Sequence, residues 1–203
     1  GFLSCVNVYH GPVLVTDEYP ELEERDVELK KPERHDLFIL LYTSGSTGVP
    51  KVCMLEYGNI TAFCHWYKKY YQVDHSSKIA AYASFGFDAS MMDIYGAIAN
   101  GAELHIIPEE IRLDFIALQR YFEENGVTHS FMTTQVGRQF AMEMSCESLQ
   151  YLSIGGEKLV PMEPPKDYKF FNAYGPTECT IFTTVFEVDK YYSNIPIGKA
   201  LDN

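Results

Sequence analysis

Several features that would define other classes of protein are missing from this sequence. No unbroken apolar run approaches the ~20 residues of a transmembrane helix, and no basic stretch followed by an apolar stretch opens the chain. Acidic residues outnumber basic ones by 28 to 16, so the formal net charge is −12. Because nucleic-acid binding requires a basic face, this charge argues against such a partner. We therefore expect neither a membrane nor a nucleic acid as a partner.

Cysteine pairs and histidine clusters at metal-binding spacing are also missing. The cysteines number five and include no C-x-x-C pair, which predicts free thiols in a reducing compartment and hence a cytoplasmic protein. The six histidines are scattered singly, which favours ordinary surface or core histidines over metal ligands. What the chain does contain is 46% hydrophobic residues with 15 Tyr and 13 Phe, enough for a sizeable core.

Segments typical of strands and helices alternate along most of the chain. Residues 17–36 are dense in charge and predict a solvated connector. Beyond it, apolar runs such as Leu37–Leu41 and Ile79–Ala83 predict strands. Asn59–Tyr71 has the spacing of an amphipathic helix with its first residue as N-cap, and Ser90–Asp93 has the S-x-x-D form of a capping box. This alternation predicts an α/β fold with a largely parallel sheet flanked by helices.

The most unusual segment is Thr43–Lys51, directly after the first of these strands. It contains four hydroxyl residues, two glycines and one lysine. Glycines let the backbone approach a ligand closely, and the N–H groups, hydroxyls and ammonium can together bind phosphate oxygens. A Ser/Gly-rich surface turn is the alternative interpretation. A P-loop is disfavoured, because the G-x-x-x-x-G-K-[ST] spacing is absent.

Three further polar or glycine-rich segments follow predicted strands: Phe85–Ser90, Gly155–Glu157 and Asn172–Glu178. In doubly wound sheets, ligands collect outside the C-terminal ends of strands, so these segments and the Thr43–Lys51 loop predict one site. Within the last segment, an aromatic ring is available for a purine. It is followed by a hydroxyl and a carboxylate, which suit a phosphate and its Mg²⁺ because magnesium prefers oxygen ligands.

Taken together, these motifs resemble the amino-acid adenylation domain of nonribosomal peptide synthetases, a branch of the adenylate-forming enzymes. Y-T-S-G-S-T-G-V-P-K is similar to the phosphate-binding loop of that family, F-D-A-S to its substrate-amine motif, and N-A-Y-G-P-T-E to its adenine and magnesium motif. G-G-E and P-I-G-K match further core segments in the expected order. The resemblance covers roughly residues 37–203 and implies the central part of the large N-terminal domain of such an enzyme.

The resemblance also implies a reaction. Family members join a carboxylate to ATP, release pyrophosphate, and pass the acyl group to a phosphopantetheine thiol. ATP and Mg²⁺ are thus implied cofactors, an amino acid the implied substrate, and a carrier-protein domain with its phosphopantetheine the implied partner. The implied nucleotide contacts are Thr43, Ser44, Gly45, Ser46, Thr47, Gly48 and Lys51 for the β- and γ-phosphates, Thr177 for the α-phosphate, Glu178 for Mg²⁺, Tyr174 stacked on adenine, and Asn172, Gly155 and Gly156 at its edge.

The implied substrate contacts select an amino acid over a fatty or aryl acid. Asp88 of F-D-A-S would pair with the α-ammonium group, since a buried carboxylate without a cation is costly; helix capping is the alternative role. The implied pocket suits a small or medium apolar side chain and is lined by Ala89, Met92, Phe131, Ser153, Gly155, Ala173, Ile181 and Phe182. Because Asp93-Ile94-Tyr95 also resembles the D-alanine–carrier-protein ligases, D-alanine stays open.

The chain departs from the family pattern in two respects. Val52 follows Lys51 where glycine is usual. The Thr-Gly-Asp segment, hinge and small C-terminal domain with its catalytic lysine are absent. We therefore expect residues 1–203 to be one partial adenylation domain, inactive alone, that associates with its missing remainder or with itself. The alternatives are an acyl-CoA or aryl-acid synthetase and a noncatalytic nucleotide-binding module.

Overall fold

A computed structural model describes residues 30–43 and 50–202. Within them lies a compact unit that begins at Pro32 and contains all the helices and strands described below. Most of the charged connector predicted at residues 17–36 lies outside the described residues. Its last part, residues 30–36, is exposed and contains no helix or strand.

The described strands form two sheets. Their bounds are β1 Leu37–Thr43, β2 Lys51–Glu56, β3 Lys78–Ala81, β4 Glu103–Ile106, β5 His129–Thr133, β6 Tyr151–Gly155, β7 Lys169–Tyr174, β8 Thr184–Glu187 and β9 Lys199–Ala200. An antiparallel ribbon pairs β1 with β2, and a second, seven-stranded sheet has the order β4-β3-β5-β6-β7-β8-β9. The five strands β3 to β7 are parallel, whereas β8 and β9 extend the sheet antiparallel.

Four α-helices flank this larger sheet: α1 Tyr57–Tyr70, α2 Ala89–Ile98, α3 Phe115–Asn125 and α4 Thr134–Glu143. The predicted α/β fold with a largely parallel sheet is thereby confirmed. Parallel strands are apolar on both sides because helices cover both faces of the sheet. Strand β6, in which every residue is buried, shows this pattern.

Alternation along the strands divides the core into two clusters. Phe131 and Phe171 face one way and pack with residues of α1 and α2. Their chain neighbours Met132 and Phe170 face the other way and pack with residues of α3 and α4. We call these the α1–α2 face and the α3–α4 face of the sheet. Each residue near a strand end is therefore assigned to one face by its position in the alternation.

Helix α1 confirms the predicted amphipathic stripe but begins earlier than predicted. Its N-cap is Glu56, and Asn59 occupies the third position of the helix, where its Oδ1 accepts a hydrogen bond from the Glu56 N–H at 2.8 Å. The apolar positions are all buried: Ile60, Phe63, Cys64, Tyr67 and, just after the helix, Tyr71. This helix therefore supplies core rather than a ligand site.

Candidate functional site

The predicted phosphate-binding loop connects the two strands of the ribbon. Thr43 at the end of β1 pairs in register with Lys51 at the start of β2, so the loop is closed at its base. Its residues Ser44, Gly45, Ser46, Thr47 and Gly48 lie outside the described residues. Lys51 is exposed, Thr43 is half-buried, and β2 contacts the short 3-10 helix Thr177–Cys179. The base of the loop thus lies beside the predicted magnesium ligand.

The turn that follows β7 depends on a glycine. A Cβ atom at Gly175 would lie 2.3 Å from the carbonyl oxygen of Ile181 and 2.7 Å from the Cα of Phe182. No side chain fits in this space. The N–H of Thr183 donates to the carbonyl of Tyr174 at 2.7 Å, so the chain doubles back and closes the turn that carries Thr177 and Glu178.

Two consecutive residues inside this turn adopt left-handed backbone conformations. Thr180 has φ 63° and Ile181 has φ 72°, values that are rare for β-branched residues. Such strain persists only where surrounding contacts enforce it, and it clusters at ligand sites. Ile181 is buried in the same cluster as Phe131 and Phe182, which are also predicted to line the substrate pocket. Sequence reasoning did not reveal this strain, because nothing in the local composition signals it.

Asp88 lies beside the same turn. It occupies the N-cap position of α2 and is half-buried. Burial raises the pKa of the Asp88 carboxyl, and hydrogen bonding by Thr177 opposes this increase. Nearby Glu178 adds a smaller increase through charge repulsion. The structure therefore brings three predicted site residues together. Helix capping stays the alternative role for Asp88, because hydrogen bonding by the Ala89 backbone at the start of α2 also lowers its pKa.

The residues predicted to line the substrate pocket lie close together on the α1–α2 face. Phe131 pairs in register with Ser153, and Gly155 pairs with Ala173, so four of them come from three parallel strands. The rings of Phe131 and Phe182 lie 5.7 Å apart. All eight predicted lining residues are buried: Ala89, Met92, Phe131, Ser153, Gly155, Ala173, Ile181 and Phe182.

Tyr71 is a neighbour of this pocket that sequence reasoning missed. The hydroxyl of Ser153 donates to the Tyr71 hydroxyl at 2.9 Å, and both groups are buried. Because each buried hydroxyl pairs with the other, Ser153 presents a fixed polar group rather than a free one. The two residues are 82 positions apart in the chain, so no local pattern could predict their contact.

The residues predicted to contact adenine lie in two places. Gly155 and Gly156 lie at the end of β6 and just after it, whereas Asn172 and Tyr174 lie on β7. Asn172 and Tyr174 alternate away from the α1–α2 face. The Asn172 amide is buried and donates to the carbonyl of Pro196 at 2.8 Å, so it ties β7 to the segment before β9. Tyr174 has 51% of its surface exposed, which leaves its ring available for stacking.

The Gly155–Glu157 loop is held by a residue that the motif comparison did not single out. The Thr134 hydroxyl donates to the Glu157 carbonyl at 3.1 Å and lies 3.2 Å from the Glu157 N–H, from which it accepts. The Gln135 amide donates to the Glu157 carboxylate at 2.9 Å. Helix α4 is thereby joined at its first turn to the loop, which includes Gly156 in a left-handed conformation at φ 107°. A threonine following a strand carries no specific signal for this role.

The S-x-x-D pattern at Ser90–Asp93 is not a capping box, and that prediction is wrong. The Ser90 hydroxyl donates to the Phe87 carbonyl at 2.7 Å. The carboxylate of Asp93, which is 1% exposed, accepts from the N–H groups of Tyr82 at 3.1 Å and Ala83 at 3.0 Å. Burial raises the pKa of Asp93 to about 8. Asp93 thus caps the end of β3 instead of its own helix.

The side chains of the described residues can be compared with what a magnesium site requires. Among residues 30–43 and 50–202, no group of three or more His, Cys, Asp or Glu side chains could hold a metal ion alone. Mg²⁺ that is shared with a nucleotide needs only one or two protein carboxylates, because phosphate oxygens and water complete its shell. The exposed carboxylate of Glu178, close to Thr177 and to the base of the loop, fits this requirement.

Comparison with known proteins identifies the family. Residues 3–203 match the family model described as "AMP-binding enzyme". The chain belongs to this family of AMP-binding enzymes.

Curated proteins similar to this chain include two bacterial synthases. The chain is 41% identical over 168 residues to bacitracin synthase 1 of Bacillus licheniformis, a match that covers 83% of this chain and 3% of that protein. It is 39% identical over 211 residues to surfactin synthase subunit 1 of Bacillus subtilis (strain 168), covering 99% and 6%. The chain thus spans only a small part of the length of these relatives.

Solved structures share the fold. The adenylation domain AlmE of Vibrio cholerae, in complex with glycyl-adenosine-5'-phosphate, superposes with a TM-score of 0.71 at 24% identity over 84% of this chain and 34% of that chain. The N-terminal subdomain of Klebsiella oxytoca NpsA gives a TM-score of 0.73 at 24% identity over 88% and 46%. These similarities confirm the predicted α/β fold, which this chain shares with the parts of the two structures that it covers.

No helix within the described part of the chain has the length and apolarity needed to cross a membrane.

Proposed function

We propose that this chain is the ATP- and amino-acid-binding core of an adenylation domain. In the complete protein it would activate an amino acid as aminoacyl-AMP, release pyrophosphate, and deliver the aminoacyl group to the phosphopantetheine thiol of a carrier-protein domain. One observation carries the proposal: Asp88, Thr177 and Glu178 meet at the C-terminal end of the sheet, beside the base of the Thr43–Lys51 loop. The peptide synthetases among its relatives support the same activity.

The chemistry assigned to the phosphate side follows from the donors. A substrate carboxylate oxygen forms a bond to the α-phosphorus of ATP, and the bond from that phosphorus to the pyrophosphate oxygen breaks. Thr177 donates to the α-phosphate, while Lys51 and the loop donors from Thr43 to Gly48 hold the departing β- and γ-phosphates. Glu178 would hold Mg²⁺, and the bound ion would neutralise phosphate charge. Tyr174 stacks on adenine, with Asn172, Gly155 and Gly156 near its edge.

The amino-acid side is assigned on charge and shape. Asp88 is a half-buried carboxylate for which an α-ammonium group would be a matching cation. The eight pocket residues, mostly apolar, would surround the substrate side chain: Ala89, Met92, Phe131, Ser153, Gly155, Ala173, Ile181 and Phe182. Their bulk favours a small or medium apolar side chain, and D-alanine is one candidate.

The extent of the domain is part of the proposal. The relatives are far longer, and the chain covers less than half of the solved adenylate-forming chains given above. We infer that residues 1–203 are one partial domain, with a charged connector at 17–36, that needs the remainder of its domain for catalysis. The exposed apolar residues on one side of the ribbon, Leu40, Tyr42, Val52 and Met54, are consistent with association with that remainder or with a second copy.

A reducing, cytoplasmic location is also proposed. Cys53, Cys64, Cys146 and Cys179 are free thiols in the structure, which supports the expectation from cysteine number.

The test is amino-acid-dependent exchange of pyrophosphate into ATP, measured on the complete protein that contains these 203 residues. We expect a panel of amino acids, including D-alanine, to show stimulation by one or a few apolar members, and Glu178→Gln to abolish it. Exchange stimulated only by fatty or aryl acids would favour an acyl-CoA or aryl-acid synthetase. ATP binding without stimulation by any acid would favour a noncatalytic module and overturn the proposal.

A further inference from the structure

Asp88 lies at the far end of an exposed connection between β3 and α2. Residues 84–87 are exposed, including Phe85 and Phe87 with 59% and 69% of their surfaces in solvent. Within this connection the Phe87 N–H donates to the Ser84 carbonyl at 3.0 Å. Packing in this short segment is therefore too sparse to determine where Asp88 lies.

Asp93 bridges the two ends of that connection. Strand β3 ends at Ala81, so the N–H groups of Tyr82 and Ala83 have left the sheet, and the Asp93 carboxylate accepts from both. Asp93 lies on α2, five residues after Asp88, which is the N-cap of the same helix. The Asp93 carboxyl group thus attaches α2 to the end of β3, across the exposed segment.

The environment of Asp93 indicates that this bridge is specific. The residue is 1% exposed, and its second oxygen, Oδ1, is buried without a hydrogen-bond partner in the described structure. Arg112 is the nearby cation that lowers its pKa in part, and the guanidinium of Arg112 lies 5.7 Å from the ring of Tyr82. Burying a carboxyl group is unfavourable in either protonation state unless its oxygens are hydrogen-bonded, so the two backbone bonds offset part of this cost.

We propose that Asp93 is a positioning residue: by binding the N–H groups of Tyr82 and Ala83, it fixes Asp88 where the α-amino group of the substrate is received. This inference rests on the proposed function and assigns Asp93 no contact with substrate. The acceptor oxygen does the positioning, so a neutral amide oxygen at the same place keeps most of the effect.

Two variants of the complete protein separate this role from general stability. Asp93→Ala removes the acceptor, and Asp93→Asn keeps one oxygen of similar geometry. We expect Asp93→Ala to raise KM for the amino acid by about tenfold, the equivalent of one or two lost backbone hydrogen bonds, with KM for ATP changed less than about twofold. We expect Asp93→Asn to recover most of the loss.

A second readout follows the amino group directly. The comparison is between the amino acid and the same acid without its α-amino group, expressed as the ratio of their kcat/KM values. If Asp93 acts through Asp88, this ratio will fall in Asp93→Ala by about the same factor as the rise in KM. Asp114→Ala is the matched control, because Asp114 also accepts a backbone N–H, that of Ala117 at 3.0 Å, but at the start of α3. It should lower thermal stability and leave both KM values and the amino-group preference unchanged.

The outcomes are distinct. Three results would each overturn the inference while leaving the proposed function intact. The first is unchanged kinetics in Asp93→Ala, and the second is an equal loss in that variant for the amino acid and for the acid without its amino group. The third is an Asp93→Asn variant as impaired as Asp93→Ala. If Asp93→Ala does not fold, Asp93→Ser is used, since its short hydroxyl does not span the gap, and the same criteria apply. Absence of amino-acid-dependent exchange in the wild-type protein would overturn the proposed function and this inference together.

Discussion

The two faces of the seven-stranded sheet carry different parts of the candidate site. On the α1–α2 face, Phe131 and Ala173 belong to a buried, aromatic-rich cluster that also contains Met92 and Phe182. On the α3–α4 face, the strand ends lead to Tyr174 and to the loop held by Thr134, both near exposed surface. The proposed amino-acid pocket is therefore core-like, whereas the proposed nucleotide contacts are surface groups and backbone.

This difference follows from strand alternation. Ala173 and Tyr174 are adjacent in sequence but face opposite sides of the sheet, so one strand end can serve two ligands. Substitutions on the α1–α2 face should then change amino-acid kinetics with little effect on ATP, and substitutions on the α3–α4 face should do the reverse. If substitutions on one face changed the kinetics of both substrates equally, the assignment of one ligand to each face would be wrong.

The largest effect is expected for Asp88→Asn in the complete protein. The amide lacks the charge that we propose pairs with the substrate ammonium, so kcat/KM for the amino acid should fall by about 100-fold, since removing one partner of a desolvated ion pair costs about 2–5 kcal/mol. KM for ATP should change little. Pyrophosphate exchange with each substrate varied in turn measures both values. A variant that keeps its amino-acid kinetics would contradict the assignment and favour a substrate without an amino group.

Phe131→Leu tests the shape of the pocket on the same face. Phe131 contacts the Phe182 ring at a centroid distance of 5.7 Å, and its replacement would enlarge the space between β5 and the strained turn. We expect the preference to move toward larger apolar amino acids by about tenfold, the scale of one or two methylene groups in a pocket. An exchange panel measures the shift. Phe140→Leu, a buried phenylalanine on the opposite face, is the control that should leave the preference unchanged.

The motifs predicted a good part of this arrangement because they lie at strand ends. Once a parallel α/β sheet is expected, the C-terminal ends of its strands must share one edge. Asp88 follows one such end, that of β3, and Thr177 and Glu178 follow another, that of β7. The sequence also contained evidence for β2 that was not used. Cys53 and Leu55 alternate with exposed Val52 and Met54, which is the pattern of a half-buried strand.

The features that were missed depend on contacts distant in sequence. Ser90–Asp93 matched a local capping pattern, but the free N–H groups at the end of β3 offered Asp93 a buried alternative 10 and 11 residues away. The Ser153–Tyr71 and Thr134–Glu157 pairs likewise join separate elements. Local propensity cannot rank such options, because burial and tertiary hydrogen bonds decide between them.

A smaller effect is expected on the other face, from Thr134→Val. Valine keeps the shape of threonine but leaves the N–H and carbonyl of Glu157 without the hydroxyl, which should loosen the Gly155–Glu157 loop. We expect KM for ATP to rise by about fivefold, with amino-acid KM nearly unchanged, since a lost buried hydrogen bond costs about 1 kcal/mol or more. Thr134→Ser should restore the wild-type value. Equal changes in both KM values would show that this loop serves both ligands.

The smallest effect is a pH dependence of stability that arises from Asp93 on α2. The pKa of Asp93 is raised by burial from its ordinary value of 3.8 to about 8, against an opposing influence of Arg112 and the backbone N–H groups of Tyr82 and Ala83. The folded state therefore retains this proton where the unfolded chain has lost it. The resulting stabilisation is fully present below pH 4, declines as the pH rises, and is gone above about pH 8.

Asp93→Asn should remove this decline, because an amide does not titrate. We expect the Tm of the complete wild-type protein to fall by a few degrees more than that of the variant between pH 6 and pH 9, on the order of 2–4 °C for each kcal/mol. Thermal unfolding followed across this range measures the difference. Parallel curves for the two proteins would mean that Asp93 is already ionised at pH 6, and that its two backbone bonds and Arg112 outweigh the cost of burying its charge.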